Sequence, residues 1–269
     1  MLKTKFIIII VILFLAETSV AQKLKITGMY IQWGYNTEWY TKSNLHFKLN
    51  NGSNFILHNV RASDKPDMEG IYESPLDISI PQYNYRIGFY LNDSKTRAIE
   101  INFDHAKYVV DANQRVLVTG TIEGQAVNGD SVLERNRFLH IEHTDGANFL
   151  HFNYVWQKNI LKKQKSNRPM LNLIGKLGAG INIPRTDFTW KGDRLNNKFH
   201  IAGYNISAEG GARYYVGKRF FIEGTAKTGF VKYTNALANT TQFKNSFVKH
   251  SFGYFELIGL FGYDISFKK

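Results

Sequence analysis

The 269-residue chain contains no cysteine, which rules out disulfides, thiolate metal sites, a cysteine nucleophile and a lipidated cysteine anchor. Proline is scarce: there are five, and three of them (Pro66, Pro75 and Pro81) fall in one stretch, Ala62 to Gln82, which reads as loop. No apolar run of 18 or more residues follows the first 21, so helical membrane spans are excluded. Carboxylates are outnumbered, with 22 Asp and Glu against 34 Lys and Arg, for a formal charge of +12. That excess raises nucleic acid as a partner. Its densest run, however, is Lys158, Lys162, Lys163, Lys165 and Arg168 in a predicted turn, where solvation or lipid phosphate accounts for it. No nucleic-acid partner is expected.

What is present begins with an address. Met1 to Lys5 is short and basic, Phe6 to Ala16 is apolar, and Ser19-Val20-Ala21 places small residues before Gln22. These are the marks of a secretory signal peptide. Residues 1–21 are therefore expected to be cleaved after Ala21, leaving 22–269 as a single domain. An exported chain without disulfides must hold itself together in another way, and a closed barrel does so by pairing every backbone donor and acceptor between strands.

Period-two alternation recurs along the mature chain. In the last strand, His250 to Phe267, one face carries Phe255, Leu257, Phe261, Tyr263, Ile265 and Phe267, and the other carries Glu256 and Asp264. A fully apolar, aromatic-rich face backed by carboxylates needs two different surroundings. Lipid outside and a polar lumen inside a membrane barrel supply them. Strands with the same pattern are predicted at 24–36, 44–50, 83–92, 98–110, 148–157, 171–183, 199–215 and 220–231, with a poorer one at 54–61. Asn51-Gly52 marks a hairpin between the second and third. The aromatic content of 14%, from 20 Phe, 15 Tyr and 4 Trp, suits interfacial girdles.

The connections alternate between long and short, as expected of a barrel with short periplasmic turns and longer outer loops. The expectation is all-β: a transmembrane antiparallel up-and-down β-barrel of about ten strands, with eight and twelve as the other open counts. A signal peptide, alternating strands with unequal loops and an aromatic-ended last strand together make the chain resemble the small outer-membrane β-barrel proteins of Gram-negative bacteria. The resemblance is one of pattern over the whole mature chain, with no signature motif. It implies residence in the outer membrane and recognition of the last strand by the barrel assembly machinery through Phe267. In that family the aromatic usually ends the chain, whereas Lys268 and Lys269 follow it here.

A charged side chain facing lipid at mid-bilayer costs roughly 2–4 kcal/mol for Arg or Lys, so the charged faces are assigned to the lumen. This predicts a network of Arg86, Glu100, Asp104, Lys176, Glu209, Arg213, Glu223, Lys227 and Glu256. Four positive charges against five negative suit a lumen filled by ion pairs, since ion-selective pores present rings of one sign. A plugged or very narrow barrel with a structural or interaction role, acting through its outer loops, is the leading reading; a narrow transport pore is the alternative. A lipid-modifying enzyme is the third reading. It rests on His140, Glu142, His143 and Asp145, a set able to pair a base with an orienting acid or to bind a metal. A solvated loop rim explains the same residues, and neither a metal nor any other cofactor is expected. Gly178 and Gly180 precede no helix, which fails the test for a nucleotide loop, and are expected to make room for bulky neighbours. The expected partners are outer-membrane lipids, including anionic outer-leaflet glycolipid at Arg185, Lys191, Arg194 and Lys198.

Overall fold

The computed structural model describes residues 26–65, 82–164, 166 and 168–267. The signal-peptide reading, the three clustered prolines, Lys165, Lys268 and Lys269 fall outside them. Among the described residues, seventeen antiparallel strands form one continuous sheet. In chain order they are β1 (Gly28–Tyr40), β2 (Ser43–Leu49), β3 (Ser53–Val60), β4 (Ala62–Ser63), β5 (Tyr83–Tyr90), β6 (Arg97–Asp104), β7 (Tyr108–Val110), β8 (Arg115–Ile122) and β9 (Gln125–Val132). They continue with β10 (Leu139–His143), β11 (Phe149–Lys163), β12 (Arg168–Asn182), β13 (Asp187–Trp190), β14 (Asp193–Asn196), β15 (Gly203–Tyr215), β16 (Phe220–Leu237) and β17 (Phe247–Ser266).

Eight of these close a cylinder. β1 pairs with β5, β5 with β6, β6 with β11, β11 with β12, β12 with β15, β15 with β16 and β16 with β17. β17 then returns to β1 in unbroken register from Gly28↔Ser266 to Tyr40↔Tyr254. The short connections 91–96 and 216–219 and the facing ends of β11 and β12 lie at one end of the cylinder, as do residues 26 and 267. The excursions that follow Tyr40, Asp104, Asn182 and Leu237, described over 41–65, 105–148, 183–202 and 238–246, leave from the other end.

The cylinder has eight strands, one of the counts left open beside ten, and the reason is physical. The predicted second and third strands are β2 and β3, which pair with each other, with the top of β17 and with β8, beyond the cylinder. Their alternation separates water from a second apolar core, and lipid plays no part in it. Their hairpin closes through a three-residue loop with Gly52 at φ 81°, the conformation of a type I turn followed by a left-handed residue. Further along, β1 runs to Tyr40 through a stretch read as turn, β6 stops at Asp104, and β11 continues to Lys163 and shortens the basic turn. The loop 111–147 carries the hairpin β8–β9 together with β10, and the loop 184–198 carries β13 and β14.

Outward positions of the cylinder are apolar and exposed. They include Ile31, Ile87, Ile101, Leu177, Ile206, Ile222 and Leu257, with the aromatics Trp39, Trp156, Tyr204, Tyr214 and Phe230. Inward positions are buried and mostly polar, with Val155, Ile174, Phe221, Ile258 and Leu260 as apolar exceptions. In water such an exterior forfeits the hydrophobic stabilisation that folding normally gains; in a bilayer it forfeits none. Space inside is tight. A Cβ on the inward Gly88 would lie 2.0 Å from the Tyr30 ring, so a bare glycine is what admits that ring. Gly178 likewise makes room for the Asn153 side chain, whereas at Gly180 the close neighbour is the Leu150 backbone carbonyl.

Above the belt the excursions fold into a cap. One limb runs β17–β2–β3–β8–β9, and the other runs β1–β4–β7–β10–β13–β14. Their facing surfaces enclose an apolar core. Phe47 stacks on Phe55 at 5.2 Å and on Phe188 at 5.6 Å, and Phe55 meets Trp190 at 5.7 Å. This core continues down through Tyr108, Tyr233, Phe252 and Tyr254 to the top of the lumen.

Candidate functional site

Strand alternation aims one residue in two into the lumen, and strand pairing brings the charged ones together in three tiers. At the turn end, the Asp264 carboxylate accepts hydrogen bonds from Tyr90 (2.6 Å) and Tyr215 (3.2 Å) and pairs with Lys95 at 3.1 Å. Arg213, which donates to the Tyr90 hydroxyl, joins this tier to the next. Its guanidinium lies between the rings of Tyr30 and Phe221, 4.4 and 4.0 Å from their centroids, an arrangement that stabilises a desolvated cation.

The middle tier is the densest. Arg213 pairs with Glu223 at 2.7 Å, and the Lys176 ammonium reaches Glu223 at 2.9 Å, Glu100 at 3.1 Å and Glu209 at 3.3 Å. Arg86 closes on Glu209 at 2.6 Å. Glu100 also accepts from Tyr30 (2.7 Å) and Asn153 (3.0 Å). In the upper tier Lys227 bridges Asp104 and Glu256, Asn84 donates to Asp104, and Asn36 donates to Glu256 at 2.6 Å.

All nine residues assigned to the lumen from the sequence face it and are buried. Asp264, which the sequence places on the same polar face as Glu256, and Glu38, which it does not place in the lumen, join them. Glu38, which accepts from the Tyr40 hydroxyl, lies in the stretch read as turn. The signal for Glu38 was available: Asn36, Glu38 and Tyr40 continue the inward parity of Tyr30, Gln32 and Gly34. With these two, seven carboxylates share the described lumen with four cations.

Of the residues read as an enzyme-like cluster, the structure brings His140 and Glu142 together and gives His143 and Asp145 other neighbours. His140 Nε2 meets Glu142 at 2.9 Å, and Arg135 lies 3.6 Å from the same carboxylate; the His140 hydrogen bond holds the Glu142 carboxyl below its usual range. Asp145 instead pairs with Arg185 and accepts from Asn196. His143 points into the cap core. Its ring is fully buried, neither nitrogen has a hydrogen-bond partner, and its neighbours are Tyr108, Tyr233 and His250 at 5.9, 5.1 and 5.8 Å. Burial, and secondarily the charge of His200, push its pKa down to about 3. Among the described residues, no group of three or more His, Asp or Glu is placed to hold a metal ion. His105 stacks on Tyr83 at 4.6 Å beside the belt, and His151 lies in the lumen 3.3 Å from Lys227. Phe267 is exposed, and its amide donates to the Thr27 carbonyl at the turn end of the β1–β17 seam.

A closed eight-stranded antiparallel cylinder, apolar outside and lined by ion pairs inside, defines a small membrane-spanning β-barrel of the outer-membrane type. No family model and no curated protein matches the sequence. Among solved structures the chain is similar to the outer membrane protein OprG from Pseudomonas aeruginosa, at 14% identity and a TM-score of 0.45, over 90% of this chain and 98% of that one. It is also similar to AlkL, an outer membrane protein determined in lipid bilayers (10% identity, TM-score 0.42, 93% of this chain and 95% of that one), and to Neisserial surface protein A (9%, 0.38, 89% and 97%).

Proposed function

We propose that the protein is a resident of the outer membrane of a Gram-negative bacterium, exported by a signal peptide cleaved after Ala21. In this reading it is closed to diffusion and acts as a structural or interaction element through its capped outer surface. The observation that carries the reading is double closure. Arg86, Glu100, Lys176, Glu209, Arg213 and Glu223 meet across the lumen with little or no exposed surface, and the apolar core around Phe47, Phe55, Phe188 and Trp190 covers the mouth above them. A permeating solute would have to break ion pairs in a water-poor interior and displace a packed cap, each costing several kcal/mol.

Outer-membrane lipid is the surrounding partner, and anionic glycolipid is proposed to meet the basic side chains around the cap base. Phe267 is the proposed contact of the assembly machinery. The test is electrical. Purified protein inserted in a planar bilayer is expected to give no steady conductance, and long-lived, sizeable openings would replace this reading with the transport pore.

A further inference from the structure

The two limbs of the cap end differently. β14 ends one of them, and the loop after β16 is tied to it: Asp193 accepts hydrogen bonds from the Thr241 and Gln242 amides, and Asn197 Nδ2 donates to the Asn239 carbonyl. β9 ends the other. Among the described residues it pairs with β8 alone, in unbroken register from Arg115↔Val132 to Ile122↔Gln125. Ala126, Asn128, Gly129 and Asp130 are exposed. Edge strands are usually guarded against further pairing by lysine, proline or a bulge. Gln125–Val132 contains no lysine and no proline, and its ladder has no bulge.

The hairpin decides which β9 groups are free. Glu123 and Gly124, at φ 49° and 81°, form a two-residue loop between Ile122 and Gln125. That closing pair is hydrogen-bonded, so the odd-numbered residues of β9 direct their N–H and C=O to β8. The Leu133 amide, which donates to the Gln114 carbonyl, continues the same parity. Ala126, Asn128 and Asp130 therefore direct theirs away from the sheet. Val132 shares their parity, although its carbonyl already accepts from the Glu134 amide.

A second β9 can meet these groups about a two-fold axis only in registers that set even-numbered residues opposite one another. An axis at Asp130 opposes two like charges. One at Asn128 sets Val132 against the turn, and axes nearer either end pair fewer residues. An axis at Gly129 pairs Asn128 with Asp130 twice, carboxylate against amide, and Ala126 with Val132. It also puts a residue with free space at the point of closest approach, since a Cβ added at Gly129 meets nothing within 4 Å.

We propose that the partner of β9 is a second copy of this chain, two caps joining edge to edge through antiparallel β9 strands centred on Gly129. This names a partner for the interaction surface put forward under Proposed function and rests on that reading only for the position of the cap outside the cell. Two paired strands bury less than the roughly 1,200–2,000 Å² of a standard interface, so the dimer exchanges with monomer and is best caught by covalent trapping.

Because the chain has no cysteine, single introduced thiols report the register. The detergent-solubilised barrel is oxidised with copper phenanthroline and the disulfide-linked dimer read on non-reducing gels, with the heat-dependent gel shift verifying that each variant is folded. In the proposed register the Cα atoms of Gly129→Cys lie about 4.5 Å apart, within disulfide reach, whereas those of Asn128→Cys or Asp130→Cys lie about 9 Å apart. Gly129→Cys is therefore expected to give about tenfold more dimer than either of these, or than Ser94→Cys, an exposed position at the turn end that reports random collision. Adding Asn128→Pro removes an outward N–H and none that bonds β8, and should bring the Gly129→Cys yield down to the collision level. A Gly129→Cys yield no greater than that of Ser94→Cys overturns the proposal. Equal yields from Asn128→Cys and Asp130→Cys, which mean contact without register, overturn it too, as does a yield that Asn128→Pro leaves unchanged, which means contact without strand pairing. None of these results depends on conductance or compartment, so the closed-barrel reading is tested separately.

Discussion

The cap should open in acid, and His143 is the reason. Its ring lies among Tyr108 from β7, Tyr233 from β16 and His250 from β17, with Glu142 next to it in sequence and His200 as the further basic group. Closed, it titrates at about 3; released into water it titrates near its ordinary 6.5. Because the folded value is depressed, an opened cap takes up a proton that the closed cap refuses. Stability is therefore whole above pH 6.5, falls as the pH drops from 6.5 to 3, and loses no more to this group below that. At pH 5 the difference is about 2 kcal/mol, and the full window is worth about 5 kcal/mol. Amide hydrogen exchange reads this directly, once rates are corrected for intrinsic pH dependence. Protection in β2, β3, β10 and β13 should fall about thirtyfold between pH 7.5 and pH 5, while the belt portions of β12 and β15 keep theirs. His143→Phe keeps an aromatic ring in the site and removes this group's titration, leaving that of His250, which burial also holds well below its ordinary value, so its cap should lose less protection than the wild type by the share that His143 contributes. Equal cap protection at the two pH values in the wild type, or the same loss in His143→Phe, would refute the account.

Leu177→Arg, at an exposed outward position on β12, should destabilise the barrel by about 2–4 kcal/mol in urea titrations in lipid vesicles; a neutral effect would mean that this face meets water. Lys227→Met leaves Asp104 and Glu256 buried without their shared cation, a loss of about 3–5 kcal/mol in the same assay. Adding Asp104→Asn should recover part of that loss, and no recovery would show that the pair is not what Lys227 holds. Gly88→Leu should abolish the heat-dependent gel shift, because the new side chain and the Tyr30 ring claim the same volume, and Tyr30→Ala should restore it. A folded Gly88→Leu single variant would contradict the packing described.

Most of the cylinder could be read from the sequence because its two faces meet opposite solvents. In β5, Asn84, Arg86 and Gly88 interleave with Tyr85, Ile87 and Phe89, and only a lipid-facing outside with a polar inside satisfies both sets at once. The same inversion makes Glu100, Lys176, Glu209 and Arg213 stand out as inward residues before any pairing is known. Their partners were not legible. Lys176 meets Glu223 from two strands away around the wall, and that neighbour depends on strand order and stagger, which alternation does not encode. Glu38 was lost because Asn36-Thr37-Glu38 carries turn-forming residues, and local chemistry outweighed a parity that continued unbroken to Tyr40.

β2 shows where the alternation argument reaches its limit. Leu45, Phe47 and Leu49 against Asn44, His46 and Lys48 is a cleaner pattern than most of the barrel strands offer, yet its apolar side faces a protein core and its polar side faces water. Alternation reports that two environments differ; it does not say which of them is lipid. The property that separates the cases is the identity of the polar residues. Barrel strands carry Glu, Arg and Lys that are buried and paired across the lumen, whereas β2 carries Asn, His and Lys that stay exposed. A strand whose charged residues must be buried requires partners on other strands with the same requirement, and in this chain Arg86, Glu100, Lys176, Glu209, Arg213, Glu223, Lys227 and Glu256 supply them to one another. β2 and β3 contribute no carboxylate and no paired cation to that set. Charge that demands burial, added to alternation, therefore distinguishes β5, β6, β12, β15, β16 and β17 from the hairpin that closes the mouth of the lumen, whereas β11 carries only uncharged inward residues such as Asn153 and Gln157.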